Sequence, residues 1–298
     1  MDGLFDSAWL KWGRGVVHAH SLEVELRAYI AQPDREEITL GFRHYDPKRH
    51  GFPVEIAEVA PWPAIWGPLL GDIVGNFRSA LDHCAWAIVQ RGKGGVDGLP
   101  LKDPEAAQVY FPIVHTSAKQ FTGDIANRLI GAGRRDIAVV RKVQPYHGGK
   151  TRHHRHAFFV LNKLARGDKH RMLAVLAMML TTGNYTILSA TDCVASSDSR
   201  RPRARLIRAE PGEELGVIRV RKTGPNPSLD VEARLAASPG VADRTPLDQW
   251  AQVTIQLIRN VLLTFADPPD ELAQLGDQLW FFPEGSPPAI PQVPAPRI

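Results

Sequence analysis

Cysteine is nearly absent. Two residues, Cys84 and Cys193, in a chain of 298 are too few for a disulfide framework and suit a reducing compartment. Long apolar runs are missing as well: the longest, Met172 to Leu180, falls short of the roughly 20 residues that a membrane helix needs. The opening residues, MDGLFDSAWLKWGRG, lack a basic segment followed by an apolar run, so no secretory signal is expected there. No internal repeat is evident. Together these absences lead to the expectation of a cytoplasmic protein that neither crosses nor anchors to a membrane.

What is present is the balance of an ordinary globular chain, 44% hydrophobic and 23% charged, far from the composition of a disordered one. The length allows one large core. The expected architecture is a single α+β domain over residues 1–282, with a helical core at about 6–180 and a β-rich part at about 184–265. A Pro-rich tail, 283–298, follows it.

Periodicity assigns the elements. Trp9, Leu10, Val16, Val17, Leu22, Val24, Leu26 and Ile30 predict a helix over about 6–31, with Gly13 and Gly15 as weak interruptions. Residues 38–42 and 54–59 alternate apolar and polar side chains between turn-rich segments and predict an N-terminal β-hairpin. From Gly71 to Gln90, Ile73, Val74, Phe77, Ala80, Leu81, Cys84, Ala85 and Ile88 form one apolar stripe of a helix. Its opposite face carries Arg78, Ser79, Asp82, His83, Trp86 and Gln90. A Gly- and Pro-punctuated loop is expected from Gly92 to about Gly131, then a helix over 134–143. Residues 157–180 are read as helical, ended or kinked near Gly167. Four strands at about 185–190, 204–209, 215–221 and 229–235 predict an antiparallel C-terminal sheet, and 247–265 a closing helix.

The net charge is only +4, yet the basic residues cluster at Arg134-Arg135, Arg141-Lys142, Lys150 through His156, Lys169 through Arg171 and Arg200 through Arg208. Such clusters permit contact with phosphate, and each is equally a solvated surface. Gly148-Gly-Lys-Thr151 lacks the first glycine of a P-loop, because Gln144 stands there. His153, His154 and His156 have no Cys or carboxylate at metal-site spacing and read as basic surface, and His18-x-His20 is a similarly weak signal.

Two constellations carry more chemistry. Arg78-Ser-Ala-Leu-Asp-His83 offers an imidazole that can move protons near neutral pH and a guanidinium that can stabilise a phosphate in flight. Arg78 and Asp82 also have the i, i+4 spacing of a surface ion pair, and Arg78 and His83 point about 140° apart on an ideal helix. Asp168-Lys-His-Arg171 concentrates charge within an apolar stretch, which demands partners. The simplest would be the polar face of the 71–90 helix, pairing Asp82 with Lys169 or Arg171 and Asp168 with Arg78. Asp82, His83, Asp168 and His170 could instead surround a divalent metal if they converged, although Arg78, Lys169 and Arg171 argue against a cation.

The order of Asn76-Phe-Arg-Ser-Ala-Leu-Asp-His-Cys-Ala-Trp86, Phe111-Pro-Ile113, Val143-Gln-Pro-Tyr146, Leu161-Asn-Lys-Leu164 and Asp168-Lys-His-Arg171 resembles a family of uncharacterised bacterial proteins. That family carries an N-L-R-S-A-L-D-H-L-A-W helix and a later D-K-H-R helix. The resemblance covers roughly residues 9–175, with Phe77 and Cys84 in place of that pattern's leucines, and implies no activity. Arg78-x4-His83 is also similar to the signature of HEPN-type helical ribonucleases, usually completed by dimerisation. This second resemblance implies RNA cleavage without a metal or other cofactor, and a homodimer. The hairpin and C-terminal sheet depart from those all-helical domains.

The expectation is therefore a nucleic-acid-directed protein acting as a metal-independent ribonuclease. Arg78, His83 and His170 would be catalytic, and Lys169, Arg171, Asp82 and Asp168 would position the substrate. The competing expectation is a non-catalytic interaction or scaffold protein in which the same charges form a structural network.

Overall fold

The computed structural model describes residues 3–32, 38–93, 103–168, 176–180, 184–195, 206–208, 210–234, 237–241 and 245–273. In chain order the helices and strands are α1 (Asp6–Ile30), β1 (Ile38–Phe42), β2 (Gly51–Val59), α2 (Trp66–Gly92), α3 (Asp103–Ala106), α4 (Ala118–Arg128) and α5 (Arg134–Lys142). Then come α6 (Gly149–Arg152) between two 3-10 turns, α7 (Ala157–Asp168), β3 (Leu176–Leu180), β4 (Asn184–Thr191), β5 (Cys193–Ala195) and β6 (Leu206–Arg208). The last are β7 (Glu214–Lys222), β8 (Ser228–Arg234), β9 (Ala237–Val241), β10 (Thr245–Pro246), α8 (Leu247–Leu263) and α9 (Asp270–Ala273). This is an α+β architecture.

The helical core is built on the stripe of α2, whose eight predicted apolar positions are all buried. The helix exceeds its predicted range because Trp66 is itself buried, its indole N–H donating to Glu25 Oε2 at 3.0 Å. α1 packs along it, and the Trp12 indole N–H reaches the Ile255 carbonyl of α8 at 3.1 Å. Phe158, Val160 and Leu161 of α7 complete the same cluster.

The glycines of α1 have a packing role. A Cβ on Gly15 would stand 2.5 Å from two ring carbons of the fully buried Phe77, so the helices approach there only because no side chain intervenes. Gly15→Ala is therefore expected to destabilise by about 1–3 kcal/mol, the usual cost of overfilling a packed core. A lower denaturant midpoint with unchanged slope would register it. An unchanged midpoint would mean that α1 and α2 adjust freely.

The predicted hairpin forms, with Leu40 opposite Ile56. It belongs to a four-stranded antiparallel sheet of order β1-β2-β7-β5, in which Phe52 faces Ile218. A second sheet has the order β10-β9-β3-β6, and β4 pairs with β8 as a ribbon. Phe52, Val54, Cys193, Ile218 and Val220 form a buried cluster of the first sheet. Trp62 packs against both the helical core and the Ile38 and Ile56 pair.

Two assignments are corrected. Residues 157–180 are not one helical region: α7 ends at Asp168, and Leu176–Leu180 is a strand hydrogen-bonded to both β6 and β9. A short apolar run in a central strand has no alternation to distinguish it from buried helix. The loop expected before Gly131 contains α4, which Ser117 caps by accepting the Gln120 N–H at 3.2 Å. The predicted tail lies outside the described residues. Among those described, no helix is long and apolar enough to cross a membrane.

Candidate functional site

The polar face of α2 does bring Arg78, Asp82 and His83 to one surface, but Arg78 is committed. Its Nε donates to Asp82 Oδ2 at 3.2 Å and its Nη2 to Asp82 Oδ1 at 2.7 Å. The same Nη2 donates to the Phe111 carbonyl at 2.8 Å, while the Phe111 N–H donates to Asp82 Oδ1 at 3.0 Å. One ion pair thus satisfies both main-chain groups of Phe111. It fixes the segment before α4 as a neighbouring strand would, using side chains instead.

The side chains of Arg78 and Asp82 retain 16% and 32% of their accessible surface. Burial pushes the Asp82 carboxyl above the ordinary carboxylate range, opposed by the Arg78 charge, the Phe111 N–H and His83. Tyr110 adds an aromatic lid, with the Arg78 guanidinium 5.8 Å and that of Arg128 3.8 Å from its ring centroid.

Asp168 does not pair with Arg78. Its carboxylate lies against α2 at Gly71, where a Cβ would stand 2.8 Å from Oδ1. Gly71 and Arg78 are seven residues apart, about 10 Å along a helix axis. The pairing expected from sequence fails because Arg78 finds its carboxylate one turn away on its own helix. Lys169, His170 and Arg171 lie outside the described residues, and with them the expected pairing of Asp82 with Lys169 or Arg171. Among the described residues no three His, Cys, Asp or Glu side chains gather as a metal site would require. His83 is half-buried and makes no hydrogen bond to the described residues, and Trp86 beside it keeps 39% of its surface.

A different group of residues is assembled where α6, its flanking turns and the start of α7 meet the segment after Phe111. Gln144, 1% exposed, accepts the Val114 N–H at 2.8 Å and donates to the Val140 carbonyl at 2.8 Å. This holds the next residue, His115, over the turn that bears His153. The two imidazoles stack, with centroids 5.4 Å apart and planes 28° from parallel. Phe159 packs edge-on against both rings at 5.2 Å. His153 is oriented by its Nδ1, 3.0 Å from the Gly149 carbonyl, and must donate through that nitrogen.

Burial, His153 and Arg166 hold the His115 imidazole below its ordinary pKa, favouring the neutral ring. His156, the residue before α7, accepts the Phe158 N–H through Nδ1 at 3.2 Å and so caps that helix. Burial, with the proximity of His147, holds its pKa down to about 4.

The surroundings of this cluster are basic. No Asp or Glu occurs between Asp136 and Asp168, a stretch containing Arg141, Lys142, Lys150, Arg152, Arg155, Lys163 and Arg166. Lys150, Arg152, Arg155 and Arg166 are exposed. The basic, His-rich loop was legible in the sequence, but the contribution of His115 was not. Its only signal is the apolar run before it, which has to end in a buried anchor.

Comparison with family models, with curated proteins and with solved structures finds no match to this chain.

Proposed function

We propose that this chain binds nucleic acid, and specifically single-stranded RNA, through the face built by His115, His153 and Phe159. The observation that carries this reading is the stacked imidazole pair set in an acid-free, basic stretch. The aromatic rings offer stacking surfaces to unpaired bases, and Lys150, Arg152, Arg155 and Arg166 offer cations to the phosphates between them. The Arg78–Asp82 pair serves this function by holding residues 110–114 in place, so that His115 meets its partners.

Cleavage of the bound strand is a second reading, favoured by one observation: His83 is partly accessible and free of hydrogen bonds to the described residues. Its weakness is that Arg78, the phosphate stabiliser it would need, is taken up by Asp82 and Phe111.

The test is binding of a labelled 20-nucleotide RNA, single-stranded or duplex, by fluorescence anisotropy across a salt series. The single strand is expected to bind more tightly. His115→Ala with His153→Ala should weaken binding about tenfold or more, since each stacked base is worth roughly 1–3 kcal/mol. Lys150→Ala with Arg152→Ala should instead flatten the log–log salt dependence by about 1.4, at roughly 0.7 for each phosphate left without its cation. If the double histidine variant binds as well as the wild type, the proposed face is wrong. The same samples, run on a gel, report cleavage; loss of cutting in a fully folded His83→Ala variant would support the second reading.

A further inference from the structure

We infer that the first β-sheet carries a separate phosphate-binding site, in the groove between the turn before β2 and the outer face of β7. The groove encloses about 540 Å3 and is lined by Lys48, Arg49, His50, Arg219 and Arg221, with no acidic residue among its lining.

The fold builds this arrangement in three steps. β7 alternates buried Ile218 and Val220 with exposed Arg219 and Arg221, so both guanidinium groups leave the strand on the same side. Two residues along a strand separate their Cα atoms by about 6.7 Å, which lets the pair grip one phosphate or two adjacent ones. Next to them, Asp46 closes the Asp46–Gly51 turn by accepting the Lys48 N–H at 2.8 Å and by exchanging main-chain bonds with Gly51. Gly51 is required there, because a Cβ would stand 2.4 Å from the Ile218 carbonyl. His50 sits in the left-handed region at φ 51°, unusual for a residue with a side chain, and its carbonyl accepts the Val220 N–H at 2.9 Å. The turn is thereby pinned onto β7, and the Lys48 side chain remains exposed.

The neighbouring acids do not neutralise the groove. Glu214 is held bidentately by Arg49, at 2.6 and 2.8 Å, and Glu55 pairs with Arg43. The side chains of Lys48, Arg219 and Arg221 are left with no hydrogen bond or ion pair to the described residues, three cations lining one open space. Guanidinium forks beside a lysine suit the oxygens of a phosphate, and three cations match its multiple charge. The source is either the backbone of a nucleic acid or a free phosphorylated molecule. The site does not depend on the stacking face described above.

Inorganic tripolyphosphate, titrated calorimetrically into the full chain, tests this. The wild type should bind it, and Arg219→Glu with Arg221→Glu should weaken binding by at least tenfold, given the worth of charge-assisted hydrogen bonds. Both charge-reversed positions are on the surface, and a circular dichroism melt verifies that the variant folds. Absence of wild-type binding at millimolar tripolyphosphate, or equal binding by the charge-reversed variant, overturns the site. The 20-nucleotide RNA then separates the sources. Parallel loss of RNA affinity in the charge-reversed variant identifies a nucleic-acid backbone, and unchanged RNA affinity identifies a free phosphorylated ligand. Failure of the single-stranded RNA reading itself would appear in the His115 and His153 variant instead.

Discussion

Asp82→Ala is expected to lower the stability of this protein by about 2–4 kcal/mol, more than any other single change on the polar face of α2. Removal of the carboxylate strands two groups at once: the largely buried Arg78 guanidinium and the Phe111 N–H, which has no other acceptor among the described residues. Orphaning a buried charge costs about 3–5 kcal/mol and an unsatisfied amide about 1–3 kcal/mol, and the residual exposure of the pair, which lets water solvate both groups, brings the expectation below their sum. A double-mutant cycle with Arg78→Met gives the sharper readout. Once the cation is gone, loss of Asp82 should cost about 1–3 kcal/mol less than it does in the wild type. His83→Ala, one residue away, should change stability by less than about 0.5 kcal/mol. Additive effects of the Arg78 and Asp82 changes would show that the clamp does not hold the Phe111 segment.

Acid is expected to act through His156. In the folded chain its pKa lies at about 4 and in the unfolded chain near the ordinary 6.5. Between those values the unfolded state binds a proton that the folded state refuses, so stability rises with pH. The contribution is complete above pH 6.5 and is lost as pH falls to about 4, to a total of roughly 3 kcal/mol at most. The local geometry gives the same sign. Protonating Nδ1 would destroy the acceptor for the Phe158 N–H and place a positive charge at the N-terminus of α7, where the helix dipole disfavours it. His156→Asn keeps a capping side chain that does not titrate. The wild type and this variant, unfolded by urea at intervals from pH 7 to 4, should converge in stability, or cross, as pH falls. A difference that stays constant over that range would remove His156 as the acid-sensitive group.

The parts of this protein that follow local rules were legible in its sequence. The stripe of α2 and the hairpin of β1 and β2 each repeat with their own period, and both form where expected. α4 escapes notice although Ser117 and Gln120 have the spacing of a helix start, because the glycines and polar residues around them outweigh a two-residue signal. β3 reads as helix because a short apolar run carries no alternation to tell a central strand from a helix. At the candidate site, the i, i+4 spacing of Arg78 and Asp82 announces an ion pair. What the pair grips is the main chain of Phe111, and a peptide group has no sequence signature. The meeting of His115 with His153 is equally silent, since it depends on Gln144 being buried between two segments.

The pairing of β2 with β7 has a consequence for how the chain is made. Arg49, in the turn before β2, and Glu214, at the start of β7, are joined by an ion pair though 165 positions apart, and a ribosome adding roughly 5–20 residues per second takes on the order of ten seconds or more to cover the interval. Throughout that time the newborn hairpin has an open edge, the kind of surface that recruits strands from other chains. The same strand carries Glu55, a charge that opposes close approach of a second copy. Glu55 ends up opposite Glu214 of β7 in the finished sheet, so this charge lies on the edge that stays open until β7 is made.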